Sequence, residues 1–144
     1  MLDSINIDSS VAVYVQIENE VQFAITSGRL KPGDRLPPLR EMSERLGLNA
    51  NTVVRAYRDL EVMGLVYSRR GMGVFVADGV TDRCARSCRE QVIRRLHESV
   101  GEAKSAGMTT KKIREIVEAC EVSETGPYGA VPASVLSLAD SKNW

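Results

Sequence analysis

The run NANTVVRAYR contains polar side chains that could hydrogen-bond to the edges of DNA bases. Asparagine pairs with adenine, arginine pairs with guanine, and threonine contacts a thymine methyl group or a phosphate. Such residues act as base readers when they lie near the start of a helix that enters the major groove. A solvated helix face with a capped end is the alternative interpretation. The candidate residues are Asn51, Thr52, Arg55 and Arg58.

A second candidate contact surface is the glycine-rich stretch RRGMG. Arg69 and Arg70 offer positive charge, and the backbone around Gly71 and Gly73 offers N–H groups. These groups suit phosphate or minor-groove contact. The same glycines could simply permit the positive φ that a tight turn needs, and both interpretations can hold together. Arg40, upstream, is either a further base or phosphate contact or a solvated side chain.

The distribution of charge favours a nucleic-acid partner more than the total charge does. The 144 residues contain 19 basic and 19 acidic side chains, so the formal net charge is zero. Between Arg35 and Gly73, however, seven arginines stand against four acidic residues, and there is no lysine. Arginine is the residue best suited to bidentate contacts with phosphate and guanine.

Enzymatic and metal-dependent functions find little support in the sequence. The sole histidine, His97, lies in a charged helical segment, so no Ser/His/Asp set is available. Cys84 and Cys88 are spaced to share a helix face, with Cys120 further on. They could form a soft-metal or redox site, but cysteines often serve as small apolar residues along helix seams. We expect no catalytic residues, no metal and no cofactor.

Hydrophobic spacing and turn signals predict the elements that carry these side chains. A first helix within residues 11–28 is followed by a turn at Pro32-Gly33 and by a short strand at residues 34–36. The second helix ends at Gly47, and Asn49 caps a third that ends near Gly64. Two strands, residues 65–69 and 74–77, form a hairpin. The predicted fold is mainly α with a small β-hairpin, an N-terminal winged helix-turn-helix with a two-helix segment behind it.

The chain divides into three predicted parts. Residues 1–78 form the winged helix-turn-helix, residues 79–122 form a two-helix segment, and residues 123–144 form a poorly ordered, flexible tail. A helix pair of this length cannot bury its apolar stripes alone, so we expect it to pair with a second copy. The expected dimer-interface residues are Val92, Leu96, Val100, Ile113, Ile116 and Val117.

The stretch from Ser27 to Ala77 resembles the DNA-binding domain of the GntR family of bacterial transcription regulators. The segments LKPGDRLPP, NTVVRAY and GMGVFV occur in the order and at the spacing of that family. The form LGLNANTVVRAYRDLE is most similar to the YtrA subfamily, in which a short two-helix appendage makes the dimer. Residues 80–122 fit that description in length and pattern.

The resemblance implies which residues contact DNA. They are Arg40, Asn49, Asn51, Thr52, Gly71 and Gly73. Many relatives have arginines where this chain has Ala50 and Val54. Those two base contacts are absent here, so Asn51 and Arg55 become the expected specificity residues.

These observations predict a cytoplasmic, sequence-specific transcription regulator, of the repressor type, that binds an inverted-repeat operator in double-stranded DNA as a homodimer. The N-terminus does not resemble a secretory signal, no run is long and apolar enough to span a membrane, and the odd cysteine count suits a reducing compartment. The sequence leaves open whether a small-molecule effector also binds, and which one. The alternative is a winged helix that docks an acidic protein partner through its arginine face.

Overall fold

The computed structural model describes residues 5–120, 127–128 and 131–140. Its helices and strands, in chain order, are α1 (Val13–Thr26), α2 (Leu39–Leu46), α3 (Ala50–Val62), β1 (Val66–Arg69), β2 (Gly73–Val76), α4 (Thr81–Ser105), α5 (Thr110–Ala119), α6 (Ala133–Leu136) and a 3-10 turn (Ser137–Asp140). The mainly helical fold with one hairpin, predicted from the sequence, is confirmed.

The turn between α2 and α3 forms as its residues predict. Gly47 has a φ of 61°, the left-handed conformation in which glycine ends a helix at no steric cost. The N–H of Leu48 donates to the carbonyl oxygen of Ser43 at 2.9 Å, which satisfies a terminal carbonyl of α2. Asn49 then caps α3, because its Oδ1 accepts from the N–H of Asn51 at 2.8 Å. The angle between the two helices is therefore fixed by local hydrogen bonds.

The N-terminal core lies between α1, α3 and the hairpin. Its members share almost complete burial; they include Ile17, Val21, Ile25, Leu36, Met42, Val53, Leu60 and Val76. Gln16 is also fully buried, and its side chain exchanges two hydrogen bonds with the backbone of Asn6 and donates a third to Val11. These bonds tie the segment before α1 to the helix.

The hairpin pairs antiparallel, with Tyr67 opposite Phe75 and Arg69 opposite Gly73. The short strand predicted at residues 34–36 is present as a single bridge between Arg35 and Phe75. Beside this bridge, the N–H of Leu36 donates to Val74 and the N–H of Val76 donates to Asp34. The segment after α1 is thus fastened to the hairpin and holds it against the core.

The contacts divide the chain into two compact units, Met1–Arg89 and Glu90–Trp144. This division differs from the sequence-based boundary after residue 78. The first turns of α4 belong to the N-terminal unit, because Cys84 and Cys88, with Val80 just before the helix, are buried in its core. A sequence reading could not detect this, since the composition shift near Asp78 marks only the loop before α4.

The C-terminal segment carries more regular structure than expected. The predicted tail, residues 123–144, includes α6 and the 3-10 turn that follows it, with Pro132 at the N-cap of α6. Residues 123–126, 129–130 and 141–144 lie outside the described residues. In the parts of the chain that the structure describes, no helix combines the length and apolarity needed to cross a membrane.

Candidate nucleic-acid interface

Helix α3 presents a polar face opposite its buried stripe. Val53, Ala56, Tyr57 and Leu60 are buried. Asn51, Arg55 and Arg58 are exposed, and Thr52 is half-buried. Of the predicted base-reading residues, Asn51 and Thr52 therefore lie in the first turn of α3, and Arg55 and Arg58 lie further along its exposed face.

Tyr57 fixes the position of α3 against the start of α2. Its hydroxyl donates to the carbonyl oxygen of Pro37 at 2.8 Å. Burial, with a smaller contribution from Glu41, raises the pKa of Tyr57 far above its ordinary value, so the hydroxyl stays protonated and keeps donating. This bond ties α3 to the segment that leads into α2.

Arg40 and Asn49 are accessible at the turn between the helices. The side chain of Arg40 is 90% exposed and pairs with Glu44 one turn further along α2, at 2.7 Å. Exposed pairs of this kind contribute little to stability, so the guanidinium can exchange Glu44 for a phosphate at small cost. Asn49 uses its Oδ1 to cap α3, and its amide nitrogen remains on the exposed surface.

Arg55 differs from the other exposed side chains of α3 because it bends toward α1. The central carbon of its guanidinium lies 3.7 Å from the ring centroid of Tyr14, and its Nε lies 3.8 Å from Asp59. Stacking of a guanidinium on an aromatic face is attractive and leaves the N–H groups at the guanidinium edge accessible. Arg55 is thus held by two neighbours in the absence of DNA.

A carboxyl pair lies one helical turn beyond this stack. Burial and the charge and hydrogen bond of Asp59 raise the pKa of Glu18 to about 7, while Arg55 acts in the opposite direction. The Oε1 atom of Glu18 is buried and has no hydrogen-bond donor among the described residues. The Glu18 carboxyl therefore gains and loses its proton near neutral pH.

The tip of the hairpin is an open, positively charged wing. The N–H of Met72 donates to the carbonyl oxygen of Arg69 at 3.0 Å, and Gly71 has a φ of 73°. The Arg69 guanidinium lies 5.4 Å from the Tyr67 ring centroid and 5.5 Å from that of Phe75; the two rings stack at 5.9 Å. Arg69 thus packs against the stacked rings of Tyr67 and Phe75.

Arg35 is a wing residue that the sequence did not single out. A Cβ added at Gly73 would lie 2.7 Å from the Nε of Arg35, so the guanidinium packs directly over that glycine. Gly73 also has a φ of 115°, which side-chain-bearing residues rarely adopt. Arg35, Arg69 and the exposed Arg70 thereby come together at the wing. The position of Arg35 in a turn-forming segment of the sequence does not indicate its contact with Gly73.

Cys84 and Cys88 pack as small core residues, whereas Cys120 is exposed. The Cys84 thiol donates to the backbone carbonyl oxygen of Gln22 at 3.4 Å, and the Cys88 thiol donates to the side-chain Oε1 of the same residue at 3.5 Å. The hydrogen bond with Cys88, together with burial, raises the pKa of the Cys84 thiol far above its usual range, which opposes thiolate formation. No group of three or more metal-ligating side chains occurs within the described residues.

The predicted dimer residues in the C-terminal unit keep substantial exposure. Val92, Leu96 and Val117 are exposed, with 45%, 55% and 56% of their surface accessible. Val100, Ile113 and Ile116 are half-buried. Thr109 caps α5 by accepting from the N–H of Lys112 at 3.2 Å.

Comparison with known proteins identifies relatives that match most of this chain. The sequence model described as "Bacterial regulatory proteins, gntR family" matches residues 13–76. The HTH-type transcriptional regulator YhcF of Bacillus subtilis is 34% identical over 62% of this chain and 79% of its own length. The HTH-type transcriptional repressor YtrA of the same organism is 29% identical over 76% and 85%. A GntR family transcriptional regulator from Listeria monocytogenes matches with a TM-score of 0.59 and 29% identity, over 79% of this chain and 99% of that one.

Proposed function

The chain belongs to the GntR family of bacterial regulatory proteins, in its YtrA-like form, and is a DNA-binding transcription regulator; we propose that it represses transcription by binding an inverted-repeat operator as a homodimer. One observation carries this proposal. Helix α3 exposes Asn51 at its capped start and Arg58 further along, on the same unit that presents the charged wing. A regulator of this kind works in the cytoplasm on the chromosome, without a catalytic step.

The contacts divide by chemistry. Asn51 and Thr52 would reach base edges from the start of α3, with Arg55 and Arg58 on its exposed face. Arg40 would meet phosphate, and so would the wing arginines Arg35, Arg69 and Arg70. Asn49 and Gly71 would allow the backbone to approach the duplex closely, because their side chains are small or absent. At Gly73 the Arg35 guanidinium occupies that space, so the wing would approach the duplex there through Arg35.

The homodimer is proposed from the exposed apolar side chains of α4 and α5. Three of the six predicted interface residues keep about half of their surface in water, which is costly for aliphatic groups. A second copy could cover them with the same surface by two-fold symmetry. Two recognition helices related by that axis would read half-sites about one helical turn apart.

Selection of bound sites from random duplex DNA tests the proposal. We expect the full chain to enrich sequences with inverted symmetry and to bind them with a steep loss of affinity as salt rises. Enrichment of no sequence, together with tight binding to an acidic polypeptide, would support docking to a protein instead. Double substitution Val92→Glu with Leu96→Glu should yield monomers in sedimentation, whereas the exposed control Val131→Glu should not.

A further inference from the structure

The polar contacts between α1 and α3 form a ladder of two levels. Tyr14 and Glu18 are one turn apart on α1, and Arg55 and Asp59 are one turn apart on α3. At one level the Arg55 guanidinium stacks on Tyr14 at 3.7 Å; at the next the Glu18 and Asp59 carboxyls face each other. The Arg55–Asp59 contact at 3.8 Å links the two levels.

We propose that Tyr14, Glu18 and Asp59 form a proton-dependent socket for Arg55, so that specific DNA binding by this regulator is coupled to uptake of a proton at Glu18. The inference rests on the proposed contact of Arg55 with DNA. Tyr14, Glu18 and Asp59 are positioning residues, because they act through Arg55 and not on the DNA itself.

The charge balance of the socket gives the direction of the coupling. With a proton on the Glu18 carboxyl, the two carboxyl groups together carry one negative charge, which the Arg55 guanidinium balances. After that proton leaves for the buffer, two carboxylates face one guanidinium. The second carboxylate attracts Arg55 away from the duplex and repels nearby phosphates. The protonated socket therefore binds DNA more tightly.

The surroundings of Glu18 place the coupling between its protonation and DNA binding in the neutral pH range. Within the described residues, the charged groups that act on its carboxyl are Asp59 and Arg55, both from α3. Its Oε1 is buried without a donor, so a charge there is poorly compensated. Burial and Asp59 set the pKa near 7, and a phosphate brought close by DNA binding would raise it further.

The direct test is the pH dependence of binding to the selected operator and to a scrambled duplex, at constant salt, from pH 6 to pH 8.5. We expect wild type to bind the operator at least fivefold more weakly at the upper pH, with a smaller change on scrambled DNA. Glu18→Gln should bind equally at both pH values. The control Glu41→Gln removes an exposed glutamate of α2 and should keep the wild-type pH dependence.

Two further variants separate positioning from a general structural effect. Asp59→Asn should move the midpoint of the pH dependence to lower pH, because it removes the carboxylate that opposes Glu18 ionisation. Arg55→Ala should weaken operator binding at pH 6 and flatten its pH dependence. NMR titration of the Glu18 carboxyl carbon gives the midpoint in the free protein, which we expect near 7.

The outcomes distinguish this inference from the proposed function. Operator binding that is pH-independent in wild type, or equally pH-dependent in wild type and Glu18→Gln, would overturn the socket while leaving the regulator intact. A Glu18 midpoint below 5, or unchanged operator binding in Arg55→Ala, would also overturn it. Absence of any preference for the operator over scrambled DNA at every pH would overturn the proposed function itself.

Discussion

Replacing Gly73 by alanine should damage the wing more than the same change at Gly71. The two glycines flank Met72 at the hairpin tip, and both have positive φ. Gly73, with a φ of 115°, is paired with Arg69 in the hairpin and packed under Arg35. Gly71, with a φ of 73°, has open space where a Cβ would be added. The pair therefore offers a matched comparison of one substitution in two environments.

The expected magnitudes follow from backbone strain and from the Arg35 contact. A non-glycine residue in a sparsely populated backbone conformation costs about 1–3 kcal/mol. The new methyl group would also lie 2.7 Å from the Nε of Arg35 and would therefore displace the guanidinium. The lower entropy of the unfolded alanine chain offsets about 0.4–1 kcal/mol. We expect Gly73→Ala to reduce the free energy of unfolding by about 2 kcal/mol, and Gly71→Ala by about 1 kcal/mol or less.

Urea unfolding followed by far-ultraviolet circular dichroism measures both values, and DNA binding adds a second readout. Gly71→Ala should keep most of its stability but lose operator affinity, because the added methyl group would obstruct the proposed close approach of the wing tip to the DNA backbone. Equal losses of stability in the two variants would refute the reasoning from φ and from the Arg35 contact. Full operator affinity in Gly71→Ala would show that the wing tip does not approach the DNA backbone.

Three other predictions address the socket, the recognition helix and the wing. The pKa of Glu18 is about 7 in the folded protein, above its usual 4.5, so the resulting stabilisation is complete below pH 4.5 and is lost as pH rises through 7. After discounting for the partial exposure of Glu18, the free energy of unfolding in urea should be lower at pH 9 than at pH 5 by about 1 kcal/mol in wild type, and Glu18→Gln should lack this difference. An equal decrease in both proteins would count against a raised pKa of Glu18. Asn51→Ala should weaken binding to the selected operator by about 1–3 kcal/mol and binding to scrambled DNA by less, whereas equal losses would place Asn51 on phosphate. Arg69→Ala with Arg70→Ala should weaken binding to every sequence and reduce the slope of log affinity against log salt by about 0.9 per lost phosphate contact. An unchanged slope would show that neither arginine contacts the DNA backbone.

Local signals in the sequence were enough to predict the helix-turn-helix and the wing. The Asn49 cap, the left-handed Gly47 and the glycine-rich hairpin tip each depend on a few adjacent residues, and the structure confirms all three. These features can be predicted because the hydrogen-bonding groups of caps and turns are satisfied by residues nearby in the chain.

Contacts between distant segments were not predictable in the same way. Tyr14 fits the buried stripe of α1 by spacing, yet its ring holds Arg55, which lies about forty positions later. The approach of Arg35 to Gly73 likewise depends on how the turn after α1 meets the hairpin. The packing of the start of α4 into the N-terminal core was likewise not predictable, because the burial of Cys84 against Gln22 is a tertiary contact.

Titration of the full-length protein onto two DNA duplexes tests the central claim most directly. One duplex carries the selected inverted repeat, and the other carries the same half-sites with five base pairs inserted between them, which places them on opposite faces of the helix. We predict two protomers per intact operator, bound at least a thousandfold more tightly than scrambled DNA, and a large loss of affinity on the spaced duplex. Equal affinity for the two duplexes, or one protomer per operator, would contradict a symmetric dimer that reads DNA through α3 and the wing.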